Sequence, residues 1–265
     1  MVKDEERYII HSVSTALAVL GSFSVETPES SLTEISRRLN LNPSTTFRIL
    51  ATLQARGFLE QNADSRRYRL GVACLELGSV YLSQTDIRKQ ALPVLRRLRE
   101  GCRETVHLGT LVGNEVVYLE RLDPLQPIGF MGSVVGSRMP AYCTALGKAM
   151  LACRSNGEIC DLYAGVEFFP RTLNSITGLE ELLQELDRIR TAGYAIDDEE
   201  NEIGVCCVAV PLYGYEASVT TAISVSGPAE RIKHAIAEEE LVAKIQEAGR
   251  VISRREGKMV LSDGC

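Results

Sequence analysis

A short segment that begins at Asn42 combines a helix start with side chains able to read DNA bases. Asn42 is suited to cap a helix, and Pro43 favours the first helical position. The helix then has one core face, made of Thr46, Ile49, Leu50 and Leu53. Its outward side and flanks carry Ser44, Thr45, Phe47 and Arg48. This arrangement predicts a recognition helix whose first turn enters the major groove, where side chains meet base edges.

A basic hairpin is predicted directly after this helix. Residues 57–61 and 66–70 read as two short strands, and the polar segment 62–65 reads as the turn between them. Arg66 and Arg67 on the return strand suit phosphate or minor-groove contacts, because guanidinium combines a permanent charge with a fork of donors. The hairpin therefore predicts the wing of a winged helix-turn-helix. For any single arginine, a solvated surface charge remains the alternative.

Two further helices are expected before the recognition helix. The first begins at Ser12 as its cap and runs to about Phe23. The second opens with a capping box, in which Ser31 caps the helix and Glu34 reaches back three residues later. Arg37 lies in this second helix and belongs to the same predicted DNA-binding surface.

The charge of the chain is concentrated in this region. Residues 31–70 hold seven basic and three acidic side chains, which gives +4. The whole chain carries −6, so the remaining residues carry −10. A basic module on an acidic body favours DNA binding in one orientation.

Catalysis and metal binding are not predicted. His11, His107 and His234 are far apart in sequence and accompany no hydrolase, zinc-protease or phosphate-loop pattern. The eight cysteines form no CxxC pair, and most are expected to be reduced, buried thiols. A metal site at Cys206 and Cys207 with Asp197 is the alternative, but the spacing does not support it. We expect no catalytic residue, no metal and no cofactor.

The length and composition predict a cytoplasmic globular protein. The chain has 265 residues and is 45% hydrophobic, and it contains no apolar run long enough to span a bilayer. Its charged first residues do not resemble a secretory signal. Because the compartment is reducing, disulfides are not expected.

After the hairpin the pattern changes twice. Residues 71–100 read as helical, with Pro93 marking a helix start or kink, and are expected to link the domains and form a dimerisation surface. Packing of 86–100 on their own domain is the alternative. Beyond them, strands are predicted near 105–112, 115–122, 128–131, 194–196, 206–213 and 218–226. Helices are predicted near 142–152, 179–190 and 229–255, the last with a possible break near Glu240.

These patterns give a fold class and three regions. Residues 1–70 are predicted to form a winged helix-turn-helix DNA-binding domain, 71–100 the linker and dimerisation helices, and 101–265 a separate C-terminal domain. Strand pairs mixed with helices favour an α+β (α/β) domain built on an antiparallel sheet flanked by helices.

The chain resembles the IclR family of transcription regulators. The resemblance rests on motifs in the order of the family: SLTEISRRLNLNPSTTFRILATLQARGFLE at 31–60, YRLG at 68–71, ETVHLGTLVGNEVVYLERLD at 104–123, RMPAYCTALGKAML at 138–151, GYAIDDEENEIGVCCVAVPLY at 193–213 and ISVSGP at 223–228. It implies a GAF-like effector domain, homodimers that pair into dimers of dimers, and repression or activation switched by a small metabolite.

The resemblance also implies an effector pocket. Its backbone-amide cradle falls at Ala145 and Leu146, where a helix start favours an anion such as a carboxylate. Its polar groups fall at Asp197, Cys207, Ser224 and Ser226. Its apolar wall falls at Ile128, Met131, Met139 and Val205. Ordinary strand or core positions are the alternative for both serines and Cys207. Lys148 is suited to bind an anion or to face solvent, and 197–200 could be a solvated acidic loop.

Two positions depart from the pattern of the family. Phe47 stands where relatives often carry a polar or ring-nitrogen side chain, so a thymine methyl or a sugar is its expected contact. Leu146 stands where some relatives have a smaller residue, which is expected to narrow the pocket.

Together these observations predict a DNA-binding regulator, a repressor rather than an activator, with double-stranded operator DNA and a small carboxylate effector as its partners. A DNA-binding protein whose C-terminal domain only oligomerises is one alternative, and an activator of the same family is another. An enzyme is the third, which a turnover assay would identify.

Overall fold

The computed structural model describes residues 8–126, 132–214 and 219–255. Contacts between Cα atoms divide the chain into two compact units, which meet between Gln84 and Thr85. This boundary falls inside the segment that was predicted to link the domains.

The first unit is a helix-turn-helix with a small sheet. Its elements are α1 (His11–Gly21), β1 (Glu29–Ser30), α2 (Leu32–Arg38), α3 (Pro43–Ala55), β2 (Leu59–Gln61), β3 (Tyr68–Leu70) and α4 (Val72–Gln84). The three strands are antiparallel and lie in the order β1-β3-β2. The core of the unit is apolar and consists of Val19, Phe23, Ile35, Leu50, Leu53, Leu59 and Tyr68.

Side-chain caps set the starts of α2 and α3. At α2, the Ser31 hydroxyl accepts from Glu34 N at 3.3 Å, and the Glu34 carboxylate accepts from Ser31 N at 2.7 Å. At α3, Asn42 Oδ1 accepts from Ser44 N at 3.0 Å, and Pro43 takes the first helical position. Both caps satisfy amides that a helix leaves free at its start, as the sequence predicted.

The boundaries predicted for α1 differ from the structure by about two residues at each end. The helix begins at His11, after Ile10, without a side-chain cap, and it ends at Gly21. Ser12 therefore lies inside the helix and does not cap it. Val19 is the buried residue of this helix.

The second unit is a six-stranded antiparallel sheet with helices on both faces. Its elements are α5 (Asp86–Cys102), β4 (Thr105–Val112), β5 (Glu115–Leu122), β6 (Arg138–Pro140), a 3-10 turn (Ala141–Cys143), α6 (Ala145–Leu151), α7 (Asn156–Leu162), α8 (Leu179–Ala192), β7 (Ala195–Asp198), β8 (Val205–Leu212), β9 (Thr221–Pro228), α9 (Ala229–Ala237) and α10 (Glu240–Arg255). The strand order is β6-β5-β4-β9-β8-β7.

Alternation along the strands divides the unit into two apolar layers. One layer includes Leu146, Met150 and Leu186, and packs α6 and α8 on the sheet. The other includes Leu95, Val208 and Ile245, and packs α5 and α10 on the opposite face. The predicted fold class, a helix-turn-helix followed by an antiparallel sheet flanked by helices, is confirmed.

Several predicted boundaries differ from the structure. The helical segment 71–100 is two helices that meet at Thr85, and Pro93 lies inside α5. The C-terminal helix breaks as expected, because Glu239 has a positive φ of 58° between α9 and α10. The strand predicted at 128–131 and part of the turn after Gly214 lie outside the described residues. Three elements, α7, β1 and β6, were not predicted from the sequence.

Candidate functional site

The outward side of α3 is the predicted base-reading surface. Thr46, Leu50 and Leu53 are buried, and this fixes which side of the helix faces away from its own unit. The predicted DNA-binding residues of this helix are all exposed, namely Pro43, Ser44, Thr45, Phe47 and Arg48. Ser44 Oγ also donates to Asn42 Oδ1 at 2.8 Å, so its hydroxyl helps to cap the helix.

Phe47 is 57% exposed on this surface. A phenyl ring exposed to water lacks the stabilisation that burial in the core would provide. It has no hydrogen-bond donor, so on DNA it suits an apolar contact such as a thymine methyl.

The two wing arginines have different surroundings. Arg66 is exposed at the hairpin turn with a φ of 59°. Arg67 donates to Glu34 Oε2 at 2.8 Å and to Glu29 O at 3.1 Å, which ties the hairpin to α2. Among the described residues, the Arg66 guanidinium forms no ion pair or hydrogen bond. It is therefore more available for a DNA contact than the paired guanidinium of Arg67. Arg37, at the end of α2, is also exposed.

In the second unit, register places four polar side chains in one row across four strands. Asp197 on β7 pairs with Cys207 on β8, Cys207 pairs with Ser226 on β9, and Ser226 pairs with Thr105 on β4. Directly paired residues of an antiparallel sheet point to the same face. Ser224 lies on this face as well, two residues before Ser226, in the pair Ser224↔His107. The four residues predicted as polar groups of the pocket therefore share one face of the sheet, namely Asp197, Cys207, Ser224 and Ser226.

Helix α6 covers this face and starts where the amide cradle was predicted. Thr144 Oγ1 accepts from Gly147 N at 3.2 Å, and Thr144 O accepts from Lys148 N at 2.9 Å. The amides of Ala145 and Leu146 precede these two and have no acceptor among the described residues, although both residues are buried. Leu146 Cδ1 fills the space beside Gly109, at 3.0 Å from where a Cβ would stand.

The predicted apolar wall is only partly described. Met139 on β6 and Val205 on β8 are half-buried. Ile128 and Met131 lie outside the described residues. Cys207 is half-buried, whereas its strand neighbours Cys206 and Val208 are fully buried. We refer to the space between α6 and this row of polar residues as the cleft, and Cys207 is its half-buried member.

His107 is a member of this cluster that the sequence analysis did not select. Its Nε2 lies 2.9 Å from Ser133 Oγ, and its Nδ1 lies 3.4 Å from both Ser224 Oγ and Ser226 Oγ. Burial, assisted by the charge of Arg121, lowers the pKa of His107 to about 3, so the ring is neutral. Strand alternation places His107 on the same face as Thr105, two residues earlier. That this face carries Ser224 and Ser226 follows only from the pairing of β4 with β9.

A buried ionic cluster adjoins the same cleft. Lys148 is fully buried and pairs with Glu200 Oε1 and, at 3.4 Å, with Glu185 Oε1. The Asp197 carboxylate accepts from Glu200 N at 2.8 Å and from Asn201 N at 3.3 Å. Lys148 therefore does not face solvent, and residues 197–200 are not a solvated acidic loop. Asp198, which is exposed, and Glu199, which is half-buried, both pair with Lys233.

Burial dominates the protonation of the cleft. It raises the pKa of Asp197 to about 7, helped by the nearby charge of Glu200 and opposed by the backbone donors. It also raises the pKa of the Cys207 thiol well above its ordinary value. Such a thiol is a poor nucleophile and metal ligand. Among the described residues, no group of three His, Cys, Asp or Glu side chains is arranged to hold a metal ion.

Comparison with known proteins gives the family. Residues 12–63 match the family description "IclR helix-turn-helix domain", and residues 79–254 match "Bacterial transcriptional regulator IclR C-terminal". No helix in the described parts of the chain has both the length and the apolar character that a membrane crossing requires.

Three relatives illustrate the similarity. The chain is 37% identical over 253 residues to the HTH-type transcriptional regulator XynR of Escherichia coli K12, covering 94% of this chain and 98% of XynR. It is 32% identical over 223 residues to the HTH-type transcriptional repressor AllR of the same strain, covering 83% and 81%. A crystal structure of an IclR homologue from Microbacterium hydrocarbonoxydans, complexed with 4-hydroxybenzoate, matches with a TM-score of 0.78 and 27% identity, covering 92% and 98%.

Both family descriptions match in the expected order, and together with XynR they cover nearly all of the chain. The relatives are named transcriptional regulators, which agrees with the prediction of a regulator over an enzyme. The protein is a member of the IclR family of bacterial transcriptional regulators, with an N-terminal helix-turn-helix DNA-binding domain.

Proposed function

We propose that this regulator is a repressor whose binding to double-stranded operator DNA is controlled by a small carboxylate-bearing metabolite held in the second unit. One observation carries the proposal. Asp197, Cys207, Ser224 and Ser226 share a sheet face beneath α6, whose first two amides, Ala145 and Leu146, lack acceptors among the described residues. A cleft with a few convergent polar groups and an aliphatic wall is the usual form of a small-ligand site.

The carboxylate is supported by the donors on the helix side of the cleft. Buried amides without acceptors are costly, and an anionic oxygen satisfies them in the favourable field of the helix start. The neighbouring structure from Microbacterium hydrocarbonoxydans is complexed with a carboxylate, 4-hydroxybenzoate. Repression is supported by the relative AllR, which is named a repressor.

The operator is proposed to be read by the exposed side of α3 and by the wing. Ser44, Thr45, Phe47 and Arg48 face away from the core of the unit, as base-reading side chains must. Arg37, Arg66 and, in part, Arg67 are proposed to contact phosphates, which carry affinity but no sequence information.

A homodimer, and a pair of such dimers, are proposed as the assembly. Helix α4 has no buried residue in the described chain, and its large exposed apolar side chains are Val72, Leu75, Leu77, Val80 and Tyr81. An apolar helix of 13 residues is marginal in water unless another surface covers it. A second copy presents the same helix by symmetry, which is the usual arrangement of a two-fold interface.

The proposed mechanism couples the cleft to the spacing of two DNA heads. Ligand binding orders the start of α6 and the segment 197–207, and the change alters the separation of the heads in the dimer. Because half-site spacing on DNA is fixed by the helical repeat, a small change of separation weakens operator binding.

The test is a thermal-shift screen of the full-length protein against small organic and aromatic acids, followed by operator binding with each stabilising acid. An acid that raises the melting temperature and lowers operator affinity is expected. Ser224→Ala and Asp197→Asn should lose that response, whereas the exposed control Asp161→Asn should keep it. An unchanged response in both cleft variants would refute the assignment of the cleft. Stabilisation by no acid would favour a C-terminal domain that only oligomerises.

A further inference from the structure

One oxygen of the Glu200 carboxylate is buried without a partner. Glu200 is 8% exposed, and its Oε1 pairs with Lys148 Nζ. Its Oε2 has no hydrogen-bond donor among the described residues. A buried acceptor left without a donor costs about 1–3 kcal/mol, and more when it is charged. An orphaned group of this kind needs an explanation, such as a bound molecule that supplies the donor.

The charges around Glu200 show that this site lacks donors rather than acceptors. Lys148 faces two carboxylates, Glu200 and Glu185, and Glu185 also pairs with the exposed Arg188 at 3.0 Å. Asp197 adds a third carboxylate, whose recorded donors are backbone amides. With Arg188, the cluster has two cationic groups for three carboxylates, and burial raises the pKa of both Asp197 and Glu200.

The cluster borders the cleft of the proposed function. Asp197 belongs to both, because it pairs in register with Cys207 and bonds to the backbone of Glu200. Lys148 lies one turn after the amides of Ala145 and Leu146 on α6. The Cys143 thiol, just before α6, lies 4.0 Å from Asn201 Oδ1.

Electrostatics agrees with this placement. Burial raises the pKa of Cys143 to about 12, and the charges of Asp197 and Glu200 contribute to the increase. The same two carboxylates contribute to the raised pKa of Cys207. Both acidic groups are thus close enough to act on the thiols that border the cleft.

We infer that Glu200 is a ligand-recognition residue, and that the effector is a carboxylic acid bearing a hydroxyl or ammonium group that donates to Glu200 Oε2. The inference rests on the proposed function, which places the carboxylate of the effector at the Ala145 and Leu146 amides. It narrows the effector class from carboxylates in general to carboxylic acids that also carry a hydroxyl or an amino group. A buried acceptor discriminates strongly here, because an analogue without the donor leaves that oxygen desolvated and unpaired.

The experiment uses two matched ligand series on the full-length protein. Propionate, lactate and alanine share a three-carbon skeleton and carry hydrogen, hydroxyl or ammonium on the second carbon. Benzoate, 4-hydroxybenzoate and 4-aminobenzoate form the aromatic series. Calorimetric titration is expected to show, in at least one series, a donor-bearing acid that binds at least about tenfold more tightly than its parent. The comparison of the second and third members distinguishes hydroxyl from amino donors.

The variant Glu200→Gln isolates the role of the carboxylate. It keeps the size of the side chain and leaves Lys148 its pairing with Glu185. It should reduce the preference for the donor-bearing acid, because Lys148 takes the remaining amide oxygen and an NH2 group replaces Oε2. Glu115→Gln is the matched control, because Glu115 on β5 forms a solvent-accessible ion pair with Arg138 on the neighbouring strand β6. This control should keep the full preference. Circular dichroism establishes that both variants are folded.

The outcomes separate the inference from the proposed function. If no acid binds the wild type, the proposed effector class is wrong and the inference falls with it. If acids bind the wild type without preferring a donor, the proposed function stands and the inference is overturned. That comparison needs no variant, so it decides the matter even if Glu200→Gln fails to fold. A preference that persists in folded Glu200→Gln also overturns the role of Glu200.

Discussion

The arginines of the first unit differ in their exposure and contacts, and we therefore expect them to have different roles on DNA. Arg48 is exposed on the outward side of α3, Arg66 at the hairpin turn, and Arg67 is half-buried against Glu34. A guanidinium that faces base edges confers sequence preference, one at a phosphate confers affinity, and one in an internal ion pair confers mainly local order.

Arg48→Ala should lower discrimination at one base-pair position by about 1–3 kcal/mol, because a guanidinium reads guanine through two hydrogen bonds. Fluorescence anisotropy on an operator selected from random DNA, on its single-base variants and on random DNA measures the effect. Arg56→Ala, at the far end of the same helix, is the control and should leave the preference intact. Equal losses on operator and random DNA for Arg48→Ala would remove this residue from base reading.

Arg66→Ala should weaken binding to every sequence and reduce the slope of log affinity against log salt by about one, as expected for one lost phosphate contact. Arg67→Ala should change the salt slope less, because its charge is already paired with Glu34. Binding titrations at four salt concentrations measure both slopes. A larger slope change for Arg67→Ala than for Arg66→Ala would contradict this division of roles.

Asp197 should make the stability of the protein depend on pH. Its ordinary pKa of 3.8 rises to about 7 in the folded chain, chiefly through burial. Between these values the folded state binds more protons than the unfolded state, so stability falls as pH rises from 3.8 to about 7. The melting temperature of Asp197→Asn relative to wild type should therefore rise across this window and level off above it. The exposed control Asp161→Asn should follow wild type, and a flat difference for Asp197→Asn would contradict the raised pKa.

At the scale of elements, α6 depends on a close approach that only glycine permits. A Cβ on Gly147 would lie 2.3 Å from both Cα and O of Ala141, in the 3-10 turn before the helix. A Cβ on Gly157 in α7 would meet nothing within 4 Å. The start of α6, and the two amides proposed to hold the effector, are therefore fixed by backbone packing against the preceding turn.

Gly147→Ala should destabilise the protein by about 1–3 kcal/mol, because the helix must shift away from the turn. It should also weaken the response to any acid that stabilises the wild type. Gly157→Ala should be neutral or stabilising by up to about 1 kcal/mol, since alanine favours helix and has room there. Urea unfolding measures both variants. Equal midpoints would show that the turn can yield without cost.

Elements with a local signal were predictable, and contacts between distant elements were not. The capping box of Ser31 and Glu34 and the cap at Asn42 gave the starts of α2 and α3. Ser155 and Glu158 form the same box at α7, yet that helix was not predicted. Helix α2 is equally short, but the apolar residues Leu32, Ile35 and Leu39 recur at helical spacing, whereas α7 contains Gly157, a poor helix former. A capping box therefore predicts a helix only where the residues after it also favour one.

The cleft illustrates the limit more sharply. The resemblance to the family pointed to Asp197, Cys207, Ser224 and Ser226, and the structure brings them together. It gave no indication of His107 or Glu200. His107 reaches the cleft because β4 pairs with β9, which lies more than a hundred residues later in the chain. Glu200 reaches it through an ion pair with Lys148 on α6. Such partners are chosen by the tertiary fold, which short-range patterns do not encode.

For the whole molecule, the exposed apolar side chains of α4 allow the proposed homodimer to be tested. Leu75 is 69% exposed on this helix, and the proposed dimer would bury it. A carboxylate at this position would be desolvated in the interface without a partner, which is strongly unfavourable.

Leu75→Glu should shift the protein toward monomer and raise the dimer dissociation constant at least about tenfold, with a parallel loss of operator affinity. Sedimentation velocity over a range of concentrations measures the change. Val112→Glu, at an exposed position at the end of β4 in the second unit, is the control and should leave the assembly unchanged. An identical sedimentation profile for Leu75→Glu would place the interface elsewhere.

The first turn of α4 is fastened to the helix-turn-helix unit. Gly71 N donates to Phe58 O at 2.8 Å, Ala73 N donates to Gly57 O at 3.2 Å, and a Cβ on Gly71 would lie only 2.2 Å from Gly57 O. The start of α4 is therefore held to the helix-turn-helix by its own backbone. In the proposed dimer, α4 would act as a lever arm for the DNA-binding domain. Its 13 residues span about 20 Å, so a rotation of about 10° at its Gln84 end would displace the other end by about 3.5 Å. That displacement is close to the rise of one base pair, so the proposed mechanism requires only a modest rotation to move the domain away from its half-site.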